Sequence, residues 1–134
     1  MLSADRNTPR RDGVNFAHPV AAAVLIFAGA LVALDAAGNA VPAGTAGSGA
    51  AIGVAQAVAD NSGGAAGDIN VDVRVGTFRF DNSAAGDLIA RTDIGATAYV
   101  VDDATVAKTD NAGAREAAGT IVDVDDVGVW VRVG

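Results

Sequence analysis

Between Ile69 and Phe80, apolar and polar residues alternate along the chain. Apolar side chains occupy the odd positions from Ile69 to Val75, and Phe78 and Phe80 continue the apolar face from even positions. A period of two predicts a β-strand with one face in a core and the other in water. The change of phase at Gly76 predicts a β-bulge, because one inserted residue turns the following side chains to the opposite face and glycine tolerates the backbone angles required.

The last strand of the chain is a near copy of this one. The pattern V-x-V-R-V-G occurs at residues 71–76 and again at residues 129–134, and several earlier pairs stand 66 positions apart, among them Gly29 with Gly95 and Gly53 with Gly119. A true duplication predicts two strand sets related by a pseudo-two-fold axis. The alternative is chance similarity, since a chain rich in Ala, Gly and Val aligns easily with itself.

The whole pattern predicts an all-β protein, a compact β-sandwich or squat β-barrel of short strands joined by turns rich in Gly, Asn, Asp and Ser. We expect an extended N-terminal arm at residues 1–18 and a single β domain at residues 19–134, with possible halves at 19–80 and 86–134. The predicted strands cover residues 20–27, 30–34, 40–42, 50–59, 69–80, 86–91, 95–101, 105–108, 118–124 and 127–133.

Composition adds that the core is built from small side chains. The chain of 134 residues is long enough for one domain with a core of its own. Hydrophobic residues make up 51% of it, but aromatic residues only 4%, so Ala and Val supply much of the apolar content. No cysteine is present, which excludes disulfides and thiolate metal sites.

Charge is unevenly distributed along the chain. Residues 1–18 hold three arginines and two aspartates, a local charge of +1, and the remainder holds 6 basic and 14 acidic residues, or −8. So acidic a body repels phosphate, and we predict no nucleic-acid binding. The arm is either a loose terminus or a segment that lies on a neighbouring subunit.

An apolar run at residues 19–34 raises the question of membrane insertion or export. The run is uncharged but shorter than the roughly 20 residues of a spanning helix, so we predict no membrane span. Arg10 and Arg11 precede it as in a secretory signal, whereas Asp12 and the interruption at Gly29 count against one. Export would favour the alternative function, a secreted or surface β-domain that acts as a binding module.

Candidate chemistry is sparse, and we predict that the chain is not an enzyme and uses no cofactor or metal. The chain has a single histidine, His18, and no G-x-S-x-G motif that would supply a serine nucleophile for it to activate. The glycines at residues 47–53 are not followed by a helical pattern, as a dinucleotide loop would be. Asp123, Asp125 and Asp126 lack the spacing and the bidentate Glu of a calcium loop.

Trp130 is the one residue of the closing strand with two open interpretations. It is the only Trp, and it lies on the face opposite the valines of its strand. Either the strand is buried on both sides, or Trp130 is an exposed anchor at a subunit contact, where tryptophan is enriched.

The order of short motifs over residues 19–134 resembles the head decoration, or capsid cement, proteins of tailed bacteriophages. The motifs that carry the resemblance are turn glycines and alternating valines: G-A-L-V-A-L-D-A-A-G-N-A-V-P-A at 29–43, A-I-G-V-A at 51–55, V-x-V-R-V-G-T-F-R-F at 71–80, G-D-L-I-A at 86–90, G-A-T-A-Y-V-V-D at 95–102, A-G-T-I-V at 118–122 and V-x-V at 129–131.

The resemblance implies a structural virion protein without enzymatic activity. Such a protein sits on the outer surface of the expanded capsid, after assembly in the host cytoplasm, and clamps neighbouring subunits of the major capsid protein. It is usually a symmetric homo-oligomer, here with a trimer favoured and a dimer possible. The arm lies outside the match. Its Arg6, Arg10, Arg11 and Phe16 are our candidates for contact with the capsid, and Trp130 for contact between subunits.

Overall fold

A computed structural model describes residues 1–134 and is all-β, as the sequence predicts. It has twelve strands and two short 3₁₀ turns, the turns at Ala85–Asp87 and Arg91–Asp93. The strands are β1 Asn15–Pro19, β2 Val24–Ile26, β3 Leu31–Leu34, β4 Ala40–Pro42, β5 Ala51–Ala55, β6 Ala59–Asn61, β7 Asn70–Arg74, β8 Gly76–Asn82, β9 Thr97–Val100, β10 Thr105–Ala107, β11 Ala117–Asp125 and β12 Gly128–Val133.

Ten of these strands form two five-stranded units in tandem. The first, here called the first barrel, is a five-stranded sheet in the order β1-β7-β5-β3-β4, which closes only through a single parallel bridge from Val20 to Ala40 between its two edges. The second barrel is closed, with the order β8-β12-β11-β9-β10 and a parallel pairing of β10 with β8. Strands β2 and β6 form a separate antiparallel pair.

The two barrels share their hydrogen-bond register strand for strand, so the duplication is present in the fold. The bridge that closes the first barrel matches the pair Asn82–Val106 in the second. One row of paired residues crosses four strands in each barrel. It runs Asn15–Arg74–Val54–Leu31 in the first and Thr77–Arg132–Thr120–Thr97 in the second.

The bulges repeat as well, and each depends on a glycine. Gly53 of β5 and Gly119 of β11 both have φ of +157° and both mark an irregularity in the ladder. A Cβ atom on Gly53 would stand 2.7 Å from the carbonyl oxygen of Arg74, and one on Gly119 would collide with the carbonyl oxygen of Arg132. The close approach of neighbouring backbones therefore requires glycine at both positions.

The predicted bulge at Gly76 is wrong, because the chain changes barrels there. Strand β7 pairs with β1 and β5, whereas β8 pairs with β12 and β10. The apolar face changes phase because Val71 and Val73 face the interior of one barrel and Phe80 that of the other. The halves therefore divide between Val75 and Gly76, rather than at the predicted boundaries.

Three predicted strands are broken or absent. Residues 21–23 turn between β1 and β2, with Ala23 at φ of +58°, and residues 56–58 separate β5 from β6. The predicted strand at residues 86–91 is replaced by the two 3₁₀ turns, and the Asp93 carboxylate accepts the Ala90 N–H at 2.8 Å in the second of them.

The predicted arm is also too long. Strand β1 begins at Asn15 and pairs with β7 through Pro19, so residues 15–18 belong to the first barrel. Phe16 and His18 point to the same side of β1 and are half-buried. Of the predicted arm, only residues 1–14 lie outside the strands.

The barrels pack end against side, not across a two-fold axis. Leu31, Ala33 and Val54, on the outer side of the first barrel, are buried in one cluster with the interior residues of the second. The Leu31 N–H donates to the carbonyl oxygen of Asp103 at 2.8 Å, but no corresponding bond joins Thr97 to the first barrel. Thr97 is exposed, so the predicted pseudo-two-fold relation is wrong.

Candidate functional site

The N-terminal arm presents arginines that are almost wholly in solvent. Residues 1–15 are exposed, and Val14 ties the arm to the body because its carbonyl accepts the Val75 N–H at 2.9 Å. Arg10 lies 3.3 Å from Asp12, with both side chains at least 80% exposed. An ion pair so exposed contributes little to stability, so the guanidinium groups of Arg6, Arg10 and Arg11 are available to a partner.

Phe16 lies apart from these arginines, on strand β1 opposite Val73, where it is half-buried. Its contact with a capsid stays a prediction. His18 stands two residues further along β1, opposite Val71. The sequence did contain a signal for β1. Phe16 and His18 alternate with Asn15, Ala17 and Pro19, which is the period of a strand.

Trp130 is half-buried on the outer side of the second barrel. Its indole N–H donates to the Asp125 carboxylate at 2.8 Å, and the backbone N–H groups of Val127 and Gly128 donate to the other oxygen. The Trp130 hydrogen bond, followed by that from Val127, lowers the pKa of Asp125 below its usual value. Asp125 therefore fixes both the β11–β12 turn and the orientation of the indole ring.

The outer side of the second barrel gathers both large polar aromatics of the chain. This surface, here called the wall, consists of the outward residues of β8, β12, β11 and β9. Arg79, Trp130 and Asp123 are paired across three strands in one row. The row beside it contains Arg132, and Tyr99, the only tyrosine, lies on β9. Trp, Tyr and Arg are the residues most enriched at protein interfaces. The wall thus surrounds Trp130 with residue types that are common at interfaces.

The remaining charged clusters are structural. The Asp87 carboxylate accepts hydrogen bonds from Thr109 and from Arg115, the latter at 3.1 Å, and so ties the first 3₁₀ turn to the loop after β10. Asp93 lies 3.2 Å from Lys108. Asp102 accepts the N–H groups of Ala104 and Thr105 within its own turn.

Because the folded structure lowers the pKa of Asp87 and of Asp93, we expect a loss of stability in acid. The hydrogen bond from Thr109, then that from Arg115, lowers the pKa of Asp87 below the usual value of about 3.9. A carboxyl group with a lowered folded-state pKa contributes stability above its unfolded pKa and loses it as the pH falls through the folded value. We therefore expect the melting temperature to drop progressively below about pH 5.

Asp87→Asn should reduce the fall in melting temperature at low pH (the acid limb of the profile), because one carboxylate with a lowered pKa is gone. Melting temperature between pH 2.5 and pH 6 is the measurement. Asp126→Asn is the matched control, since the Asp126 side chain makes no hydrogen bond or ion pair, and it should leave the profile unchanged. An acid limb that is identical in the wild type and in Asp87→Asn would contradict the role of Asp87.

The residues considered for catalysis or metal binding are not brought together. No group of three His, Asp or Glu side chains is arranged to hold a metal ion. Within the glycine-rich segment at residues 47–53, the Ser48 hydroxyl donates to the Thr45 carbonyl at 2.7 Å and closes a turn, and β5 follows instead of a helix. No helix of the structure is long and apolar enough to span a bilayer.

Comparison with known proteins identifies no relative. No protein-family model, no curated protein and no solved structure matches this chain.

Proposed function

We propose that the protein is a structural component of a tailed-phage virion that decorates the outer surface of the capsid and clamps neighbouring subunits of the major capsid protein. The resemblance in motif order over residues 19–134 suggests this class, and the observation that carries the proposal is the exposed arm. An exposed segment without regular structure, which carries three solvated guanidinium groups, extends from a small acidic β body. That combination suits a protein that attaches to a larger assembly.

The arm supplies the attachment by ordering on the capsid. Arg6, Arg10 and Arg11 pair there with carboxylates, because guanidinium groups bind carboxylates through charge-assisted, bidentate hydrogen bonds. Ordering a free segment costs conformational entropy, so several pairs are needed before the arm stays bound. The compact barrels provide the rigid part of the clamp, as a homo-oligomer in which a trimer is favoured.

Replacing Arg6, Arg10 and Arg11 together by alanine tests the attachment. We expect occupancy on expanded capsids, measured by co-sedimentation, to fall by about tenfold or more, since three charge-assisted contacts are lost. The melting temperature should not change, because all three side chains lie outside the barrels.

The matched control keeps the charge and changes the geometry. The same three positions replaced by lysine should retain part of the binding, because the ammonium group carries the charge but cannot form the bidentate fork. Full occupancy with the alanine variant would refute the role of the arm. Absence of wild-type protein from capsids would refute the proposed function.

A further inference from the structure

Within the chain, one side of the first barrel covers one end of the second barrel. The outer side of the first barrel, with Leu31, Ala33 and Val54, closes the end of the second barrel where β9 stops and β12 finishes. Val100 and Ala118 at this end are only 3% exposed, and Val133 is fully buried. The turn that follows Val100 contributes the Asp103 carbonyl that accepts the Leu31 N–H.

The same end of the first barrel is covered less completely. Leu34 corresponds to Val100 and Ile52 to Ala118, and both pack against the first core but are only half-buried. Val14, at the rim of this end, is 41% exposed. We call these three residues the open end. Burying apolar surface is stabilising, so this rim, which stays in contact with water, contributes less to stability than its buried counterpart in the second barrel.

The side of the second barrel is correspondingly free. Thr97, Tyr99 and Thr120 of the wall occupy the positions that Leu31, Ala33 and Val54 occupy in the first barrel. They are exposed or half-exposed, and the wall also contains Trp130 with Arg79 and Arg132. Each molecule therefore has a partly uncovered end and an exposed side at positions equivalent to those that pack together inside the chain, although the exposed side carries Thr and Tyr where the first barrel carries Leu, Ala and Val.

We propose that the wall of one copy binds the open end of a second copy, which repeats between molecules the packing of barrel side on barrel end. The occupant is a second copy because both surfaces belong to this chain and carry side chains of opposite charge. The turn at residues 35–39 borders the open end and carries Asp35, opposite in charge to Arg79 and Arg132. This contact does not depend on capsid binding.

The contact is heterologous, because the wall and the open end are different surfaces. Repeated contacts of this kind close into a ring when the rotation per copy allows it and otherwise form an open chain. Every copy in a ring uses both of its surfaces, so the apolar rim and Trp130 are covered in all of them. In a pair of copies one wall and one open end stay free.

Two variants separate the surfaces. Thr97→Arg places a long charged side chain on the wall, and Val14→Arg places one on the open end, in each case at an exposed position. Each alone should weaken self-association by about tenfold or more in sedimentation velocity over a dilution series. Ala66→Arg, in the loop at the other end of the first barrel, is the matched control and should associate like the wild type.

Mixing the two variants gives the decisive result. The Val14→Arg protein keeps its wall and the Thr97→Arg protein keeps its open end, so an equimolar mixture should form heterodimers and nothing larger. The emission of Trp130, the only tryptophan, should shift to shorter wavelength on mixing because the wall loses water. A wild type that stays monomeric, single variants that associate normally, or a mixture that stays monomeric would each overturn the proposal.

Discussion

A Gly119→Ala variant is expected to lose about 2–5 kcal/mol of folding free energy, a large part of the stability of a small domain. Gly119 has a φ of +157°, and an added Cβ would collide with the Arg132 carbonyl oxygen and stand 2.9 Å from a Val131 methyl. The neighbouring atoms are backbone and buried core, so they cannot move aside cheaply. Chemical denaturation measures the loss.

The duplication makes a second prediction from the same geometry. Gly53→Ala should be destabilising too, because its Cβ would lie 2.5 Å from a Val73 methyl and 2.7 Å from the Arg74 carbonyl oxygen. Gly86→Ala is the matched control, with no atom within 4 Å and no positive φ, and should change stability by no more than about 0.5 kcal/mol. Equal stability of all three variants would contradict the close approach of the strands at both bulges.

Asn61→Ala is expected to cost about 1–3 kcal/mol, because it leaves the carbonyl group of the buried Ala21 without a donor and removes a second hydrogen bond, to Ala65. Asn61 is 3% exposed, and its side-chain N–H₂ donates to the carbonyls of Ala21 at 2.9 Å and Ala65 at 2.8 Å. These bonds hold the turn after β1 against the loop that follows β6, a loop that the second half of the chain lacks.

Asn61→Asp should be more destabilising than Asn61→Ala at neutral pH. A carboxylate at this position would face two carbonyl oxygens with no proton to donate, and burying an unpaired charge costs more than losing a donor. Asn70→Ala, on the exposed side of β7, is the control and should be close to neutral. If Asn61→Ala were as stable as Asn70→Ala in urea denaturation, the stabilising role of the Asn61 hydrogen bonds would be refuted.

Valine alternation is what made the long strands predictable. Strands β7, β8 and β12 each carry valines or phenylalanines at every second position, and β4 was predicted to the residue. A side-chain period of two determines which residues face the core, so these strands and the outward position of Trp130 follow from the sequence alone.

Alanine-rich segments carried no such signal. Residues 21–23, which are all alanine, and residues 56–58 read as continuations of apolar strands, yet they form a turn and a break. The small apolar side chain of alanine extends an apolar run without the strand preference of valine. The switch of sheet at Gly76 was also hidden, because a bulge and a crossing between barrels produce the same change of phase.

The contact between the barrels was visible in the sequence only by comparing the halves. Strand β3 reads Leu-Val-Ala-Leu, apolar on both faces, whereas its counterpart β9 reads Thr-Ala-Tyr-Val. An unbroken apolar run indicates a strand buried on both sides. This difference identifies which barrel offers its side to the other, and it could not be used before the register of the two halves was known.

Electron cryomicroscopy of expanded capsids incubated with the purified protein tests the central proposal most directly. We predict density for a body of two tandem barrels on the outer surface, at positions that bridge neighbouring major capsid subunits, with the arm ordered against the shell. Capsids whose outer surface is bare at saturating protein would contradict the account.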